Sequence, residues 1–343
     1  MARETKYNDI TSEELIAKVL PDNIQLTNDF LDYLKSIDRA PTTIDQYKSD
    51  LRIFFVWNLE NNNNKKFIEI TKREFARFQS YALDEWGWSP KRIRRVKSTL
   101  SSLSNYIENI LDEEEEFENY KSIVRKIENP VDNTVREKTI FEPEELQKLL
   151  DYLIEQKKYM QACVVALAMY SGRRKSELPR FKVSYFDDKN VLFGSLYKTP
   201  EKVMTKGRGS KGKMLYLYVL KQSFDPYLNM WLQYRHENGI ESEWLFPDIA
   251  NPSKAINPSM MDGWTNSYTQ FLGKDFYFHA LRHYFTTALS KAHIPDSVIQ
   301  DIQGWANADM CRLYCDISAD ESIGQYFDEN GIKQVQKGEL KNL

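Results

Sequence analysis

Residues 278–289 read FHALRHYFTTAL, a stretch that combines a helical apolar pattern with a histidine and an arginine. His279 and Arg282 lie three residues apart, so a helix would present them on one face. His283, four residues after His279, could pair with it around a metal ion. No glutamate follows His279 as in HExxH and no third ligand stands nearby, so the spacing favours hydrogen-bonded histidines over a zinc site.

A second segment, SGRRKSEL at 171–178, follows an apolar helix that we predict to end at Gly172. It places Arg173 and Arg174 beside a helix end, with Glu177 close enough to orient a guanidinium group. A planar, permanently charged guanidinium suits phosphate oxygens. Clusters of this kind are also common on protein surfaces, so the segment alone does not establish a site.

Two further segments are ambiguous in isolation. TKGRGSKGK at 205–213 lacks the spacing of a nucleotide-binding P-loop. We predict that it is a basic turn between two antiparallel strands, EKVMT and KMLYLYV. In IQGWANADMCRLYCD at 302–316, Trp305 precedes Tyr314 by nine residues, and aromatic residues so spaced usually pack in a core.

Taken in order, these segments resemble the catalytic domain of the tyrosine recombinase family. That family carries T-G-x-R-x-S-E-L, G-K-G before a strand, H-x-L-R-H-x-F, then G-[HW] and a tyrosine nine residues later. This chain has S-G-R-R-K-S-E-L, T-K-G, H-A-L-R-H-Y-F, G-W and a tyrosine at that spacing, and WLFPD at 244–248 resembles the family's L-F segment. The resemblance spans about residues 140–320.

The resemblance implies a cation clamp around a phosphate group. Arg174 and Arg282 would bind its non-bridging oxygens, oriented by Glu177. His279 would hydrogen-bond the phosphate or accept a proton from the attacking tyrosine.

The remaining roles concern the nucleophile and the leaving group. Tyr314 would form a covalent 3′-phosphotyrosine. Lys206 would protonate the departing 5′ oxygen, although Lys211 also fits if the turn is longer. Trp305, which stands where most family members have a second histidine, would donate its indole N–H and pack the site.

The implied fold is mainly α-helical with a small antiparallel sheet, in a two-domain C-shaped clamp around DNA. A helical core DNA-binding domain would contain PTTIDQYKSDLRIFFVW, with Thr42 or Thr43 as helix N-cap, and SPKRIRRVKSTLSSL, with Ser89 as N-cap and Pro90 in the first turn. In the catalytic domain, FKVSYF is predicted as a strand, and helices return from about Tyr227. The predicted organisation is a 1–23 N-terminal arm, a 24–127 core DNA-binding domain, a 128–139 linker and a 140–343 catalytic domain.

Basic residues of both domains are the candidate DNA contacts, although by themselves such residues are more typical of a solvated surface. The candidates are Lys91, Arg92, Arg94, Arg95 and Lys97 of the first domain, and Arg173, Arg208 and Lys211 of the second.

The composition limits the class of protein and its cellular setting. The 343 residues carry 47 basic and 50 acidic side chains, so net charge does not mark a nucleic-acid binder. Three cysteines, a polar start and no long apolar run fit a soluble cytoplasmic protein without a membrane partner. The resemblance implies a homotetramer on double-stranded DNA with inverted repeats, a Holliday junction, and no metal or ATP cofactor. The alternatives are a type IB topoisomerase-like enzyme and a catalytically silent DNA-binding relative.

Overall fold

The structure is a computed structural model, and its helices dominate over short antiparallel strands, which confirms the predicted fold class. It divides into two compact units, named here the N-terminal unit (Glu4–Arg136 with Lys206–Gly212) and the C-terminal unit (Met1–Arg3, Glu137–Thr205 and Lys213–Leu343). The residues described are 10–131, 139–207, 209, 211–307, 309–317, 327–328 and 331–332. Most of the predicted linker at 128–139 lies outside them.

Proline and serine set where the long helices of the N-terminal unit begin. Ser89 caps α5 by accepting a hydrogen bond from the backbone N–H of Arg92 at 3.3 Å, as predicted, and Pro90 follows in the first turn. Thr42 and Thr43 were wrongly predicted as N-caps, because Pro41 already starts α3 after Ala40. The helices are α1 (Glu13–Ile16), α2 (Pro21–Ser36), α3 (Pro41–Asn61), α4 (Lys72–Asp84) and α5 (Pro90–Ile110).

Aromatic side chains fill the core of this unit. The ring of Phe54 on α3 lies 5.3 Å from Phe75 and 5.0 Å from Phe78, both on α4. The α5 residues Val96 and Leu103 are fully buried in the same core. Burial of apolar area of this kind is the main stabilising contribution to such a helical unit.

The C-terminal unit is organised around one buried helix, α7. Its residues from Ala162 to Ser171 are all buried, and it packs against α6, α8 and α10. An all-round apolar helix of this kind belongs at a domain centre. The helices are α6 (Pro143–Glu155), α7 (Tyr159–Ser171), α8 (Lys221–Glu237), α9 (Met260–Leu272), α10 (Phe278–Lys291), α11 (Asp296–Gln303) and α12 (Asp309–Tyr314).

The strands are short and antiparallel. The predicted basic turn is confirmed, because β3 pairs with β4 with Met204 opposite Met214. A three-stranded sheet has the order β1-β2-β5, and two further pairs are β6-β7 and β8-β9. The strands are β1 (Val191–Leu192), β2 (Leu196–Lys198), β3 (Val203–Thr205), β4 (Lys213–Leu215), β5 (Tyr218–Leu220), β6 (Pro247–Asp248), β7 (Asn251–Ala255), β8 (Phe327–Asp328) and β9 (Gly331–Ile332).

Two predictions for this unit were wrong. FKVSYF is no strand: Val183–Phe186 forms a 3₁₀ turn whose aromatic residues fill the core. Helix α8 begins at Lys221 rather than near Tyr227, so Pro226 lies inside the helix, where it has no N–H to donate to the preceding turn. Over the part of the chain that the structure describes, no helix combines the length and apolarity needed to cross a membrane.

Candidate active site

Helix α10 carries the histidine and arginine of the first motif. Phe278, Leu281, Phe285 and Leu289 bury one side of the helix, which is what the three- and four-residue spacing predicts. Arg282 lies within that apolar side and is 0% exposed, whereas His279 is exposed. The two side chains are therefore neighbours along the helix in very different surroundings.

The guanidinium group of Arg282 is held by the C-terminal ends of two other helices. Nη1 donates to the carbonyl oxygen of Gly172 at 2.6 Å, and Nη2 donates to that of Gln303 at 3.3 Å. Gly172 is the left-handed residue that ends α7, and Gln303 is the last residue of α11. Carbonyls at helix C-termini lack intrahelical partners and carry partial negative charge, so they stabilise a buried cation.

Arg173 uses the same two helix ends. Its Nη2 donates to the carbonyl of Ile302 at 2.6 Å, and its Nε donates to that of Ser171 at 3.0 Å. The side chain is 1% exposed, and burial lowers its pKa to about 10. The prediction that Arg173 contacts DNA was wrong, because its guanidinium group is enclosed by the protein and fastens α7 to α11.

Arg174 and Glu177 form the polar edge of the site. Arg174 Nη1 donates to Glu177 Oε1 at 3.1 Å, and the backbone N–H of Arg174 donates to the other carboxylate oxygen. Burial raises the pKa of Glu177, but the positive charges of Arg173 and Arg174 outweigh it, so the net pKa is lowered. The ionised carboxylate holds Arg174, whose side chain is 26% exposed, at the surface of the site.

Tyr314 lies at the centre of the assembled residues. Its hydroxyl is 3.1 Å from Nε2 of His279, and its ring stacks on Trp305 with centroids 5.0 Å apart. The guanidinium carbon of Arg282 lies 5.4 Å from the Tyr314 ring centroid and 5.2 Å from that of Trp305. The site thus combines a hydroxyl, an imidazole and a buried cation within contact distance.

Positive charge exceeds negative charge around Arg282. Burial, together with the neighbouring charges of Arg173 and Arg174, lowers its pKa to about 9, while the charge of Glu177 opposes them. Three guanidinium groups therefore share one buried carboxylate. Such an excess of fixed positive charge favours a bound anion.

Two buried donors in the site have no acceptor among the described residues, namely Nε of Arg282 and the indole Nε1 of Trp305. An unsatisfied buried N–H costs on the order of 1–3 kcal/mol. The Trp305 ring stacks on Tyr314, and the guanidinium carbon of Arg282 lies 5.4 Å from the same tyrosine ring. The residues for which the structure gives positions contain no cluster of three or more candidate metal ligands.

Lysines of the β3–β4 hairpin were predicted to serve this site. Lys206 and Lys211 are exposed, and both belong to the turn that groups with the N-terminal unit. Arg208 lies outside the described residues. Lys213 on β4 was not considered at all from the sequence, yet its Nζ donates to the carbonyl of Gly304 at 3.1 Å, next to Trp305.

The candidate DNA contacts on α5 differ in how they are bound within the unit. Arg95 Nη2 donates at 2.8 Å to the fully buried carboxylate of Asp50, and Lys97 donates to the backbone carbonyl of Ile127. The guanidinium group of Arg92 lies 3.9 Å from the Trp88 ring. Lys91, Arg94 and Arg95 are exposed, and Arg92 and Lys97 are half-buried.

Sequence reasoning considered His283 only as a possible metal ligand and missed Thr287 and Asp316, which contact the same site. His283 lies 4.7 Å, ring to ring, from Tyr314, and its Nδ1 is 3.5 Å from Asp316 Oδ2. Thr287 accepts a hydrogen bond from the backbone N–H of Asp316 at 3.0 Å. The four-residue spacing of His279, His283 and Thr287 was the signal that could have shown them, since it marks one stripe of a helix.

Comparison with known proteins identifies relatives of this chain and of its fold. Residues 139–321 match the model of the phage integrase family. The SPbeta prophage-derived recombinase-like protein YomM of Bacillus subtilis is 32% identical over 71% of this chain and 71% of its own length. A tyrosine recombinase of Thermosipho africanus is 26% identical over 86% of this chain and 95% of its length. The fold matches a lambda integrase tetramer bound to a Holliday junction, with a TM-score of 0.63 and 15% identity over 89% and 79% of the two chains.

The helix end at Gly172 gives a first prediction. A Cβ there would lie 2.3 Å from Gln303 Nε2 and 2.5 Å from Phe285 Cδ1, and the backbone φ is +60°. We expect Gly172→Ala to lower the free energy of unfolding by about 2–5 kcal/mol, from left-handed strain plus overpacking. Urea unfolding measures the loss.

Gly273 is the matched control, because it also ends a helix, with φ +68°, but a Cβ there meets nothing within 4 Å. Gly273→Ala should cost only the strain, about 1–2 kcal/mol. Equal losses in the two variants would contradict the close packing at Gly172.

Proposed function

Because the chain belongs to the phage integrase family and is a tyrosine recombinase, we propose that it cuts and rejoins DNA through a covalent bond between Tyr314 and a 3′ phosphate. Membership of the family makes site-specific recombination its activity. The observation that carries the covalent step is the 3.1 Å contact between the Tyr314 hydroxyl and His279 Nε2, beside the buried guanidinium of Arg282.

In the proposed cleavage step, the Tyr314 oxygen attacks phosphorus and the bond from phosphorus to the 5′ oxygen breaks. His279 accepts the phenol proton or donates a hydrogen bond to the phosphate. Arg174 and Arg282 bind the non-bridging oxygens, where negative charge grows in the transition state. Trp305 supports this assignment through its buried indole N–H, which would donate to one of those oxygens.

A lysine gives a proton to the departing 5′ oxygen, and Lys206 is our proposal for that acid. Rejoining reverses the step: a 5′ hydroxyl attacks the phosphotyrosine and the tyrosine leaves. The number of phosphoester bonds is conserved, so the cycle needs no ATP, and side chains supply the positive charge.

For the domains, we propose residues 24–127 as the core DNA-binding domain and 140–343 as the catalytic domain, with an arm at 1–23 and a linker at 128–139. The exposed basic residues of α5 and the β3–β4 turn would contact backbone phosphates of the duplex. Lys91 and Lys211 are both exposed, as this role requires.

For the assembly, we propose a homotetramer that brings together two DNA sites with inverted repeats and exchanges strands through a Holliday junction. The shared fold with the lambda integrase tetramer on such a junction supports this. The prophage-derived relative supports a role on a mobile genetic element.

The nucleophile is tested by Tyr314→Phe. The phenol oxygen contacts His279, whereas the ring contacts with Trp305 and His283 remain in phenylalanine. We expect complete loss of the covalent adduct on a nicked suicide substrate, resolved on a denaturing gel, with the Kd for DNA within about twofold. An adduct that persists would place the nucleophile elsewhere, first at Tyr284 or at Tyr326, which lies outside the described residues.

Metal independence is tested by chelation. If the positive charge at the phosphate comes from Arg174 and Arg282, adduct formation should proceed at an unchanged rate in excess EDTA. Parallel reactions with added Mg²⁺ serve as the control. A strict requirement for Mg²⁺ would indicate a metal-dependent nuclease and refute the mechanism.

The acid is tested with a substrate that carries sulfur in place of the 5′ bridging oxygen, because a thiolate leaves without protonation. Lys206→Ala should slow cleavage of ordinary DNA by about 100-fold or more and be largely rescued by sulfur. Arg174→Ala should not be rescued, since its charge acts on the non-bridging oxygens.

Lys211→Ala and Lys213→Ala are the matched hairpin variants. Lys211→Ala should only weaken DNA binding in a salt-sensitive way. Rescue of Lys211→Ala or Lys213→Ala instead of Lys206→Ala would reassign the acid to that lysine and leave the nucleophile unchanged.

A further inference from the structure

One stripe of α10 contacts the end of α12 at three successive positions. His279, His283 and Thr287 are spaced four residues apart, so they line up along the helix over about 12 Å. The segment they contact runs from Tyr314 to Asp316, named here the nucleophile segment. Each position of the stripe meets a different part of it.

The three contacts differ in chemistry. His279 Nε2 meets the Tyr314 hydroxyl at 3.1 Å, and the His283 ring lies against the Tyr314 ring with centroids 4.7 Å apart and planes tilted by 32°. Thr287 Oγ1 accepts a hydrogen bond from the backbone N–H of Asp316 at 3.0 Å. Helix α10 therefore contacts the nucleophile segment in three ways: at the tyrosine hydroxyl, at the face of the tyrosine ring and at the backbone.

His283 and Asp316 form an additional buried link. The His283 Nδ1 is 3.5 Å from Asp316 Oδ2, and the two side chains are only 14% and 7% exposed. Among the described residues, His283 Nδ1 has no partner with hydrogen-bond geometry. The carboxylate of Asp316 thus lies beside a buried imidazole that the cleavage mechanism does not otherwise use.

We propose that His283, Thr287 and Asp316 are positioning residues that hold the nucleophile segment on α10 and aim the Tyr314 hydroxyl at His279. This inference rests on the proposed role of Tyr314 as nucleophile. Two residues beyond the nucleophile, the backbone of Asp316 donates to Thr287, and its carboxylate lies 3.5 Å from the His283 ring nitrogen. Such anchors limit both translation of the segment and rotation of the Tyr314 ring.

Positioning matters here because an in-line attack tolerates little displacement. A shift of about 1 Å in a reacting group can cost 100-fold in rate. The stripe contacts the nucleophile segment, so its loss should slow attack by Tyr314 without changing the protonation of the 5′ oxygen. This expected effect on attack alone distinguishes the positioning residues from the lysine that acts as the acid.

The test measures single-turnover adduct formation for His283→Gln, Asp316→Asn and the double variant. Each single change should slow the reaction by about 10- to 100-fold, and the double variant should be no slower than the worse single, because the two residues act as one unit. The Kd for DNA and the urea unfolding midpoint should stay at the wild-type values. The 5′ sulfur substrate should not restore the rate.

Thr287 has a close control in the same helix. Thr287→Val removes the acceptor for Asp316 and should slow cleavage about 10-fold, while Thr287→Ser keeps the hydroxyl and should restore it. Thr286→Val makes the same substitution one residue earlier, where the hydroxyl donates only to the Arg282 carbonyl within α10. It should leave the ratio of cleavage rate to DNA affinity unchanged.

Several results would overturn the proposal. One is cleavage within twofold of wild type in the His283 and Asp316 variants. The others are rate losses that follow the loss of unfolding free energy, and rescue of the variants by the 5′ sulfur substrate. A covalent adduct that persists in Tyr314→Phe would instead refute the proposed role of Tyr314 as nucleophile. Failure of the positioning proposal and failure of the proposed function can therefore be told apart.

Discussion

The C-terminal ends of α7 and α11 converge on two buried arginines. Arg282 donates to carbonyls at both helix ends, and Arg173 donates to the carbonyls immediately before them. Helix C-termini expose carbonyl oxygens that need donors, and a guanidinium group offers five N–H groups in a fixed plane. These hydrogen bonds join segments more than 100 residues apart in sequence. The other residues of the site are positioned around the two arginines.

Burying two arginines side by side costs free energy, and this cost explains why Glu177 lies next to them. Burial of several like charges is unfavourable, as the lowered pKa values of Arg173 and Arg282 indicate. Glu177 offsets part of this repulsion, and its own pKa stays low because the arginines surround it. The remaining positive charge is available to an anion, which is the electrostatic basis for phosphate binding in the proposed reaction.

The nucleophile segment is held mainly by ring contacts and by helix α10, and not by the buried arginines. Trp305 stacks on Tyr314 from one part of the chain, and the α10 stripe contacts the same tyrosine through His279 and His283. Trp305 itself follows Gly304, whose φ of +69° ends α11 and whose carbonyl accepts from Lys213. The same helix end thus positions both the arginine anchor and the indole beside the hydroxyl.

The sequence by itself determined the helical fold class, the caps at Ser89 and Gly172, the β3–β4 hairpin and the family, because these depend on local spacing and ordered motifs. It also nominated Arg174, His279, Arg282, Trp305 and Tyr314, which the structure brings together in one unit. Their catalytic roles and the domain boundaries remain predictions. The motif nominated Arg174, but nothing in the local sequence indicated that the adjacent Arg173 points toward the helix ends instead of the surface. Only tertiary structure decided that Arg173 is buried, that Lys213 reaches Gly304, and that His283 and Asp316 meet, because each depends on contacts between segments far apart in the chain.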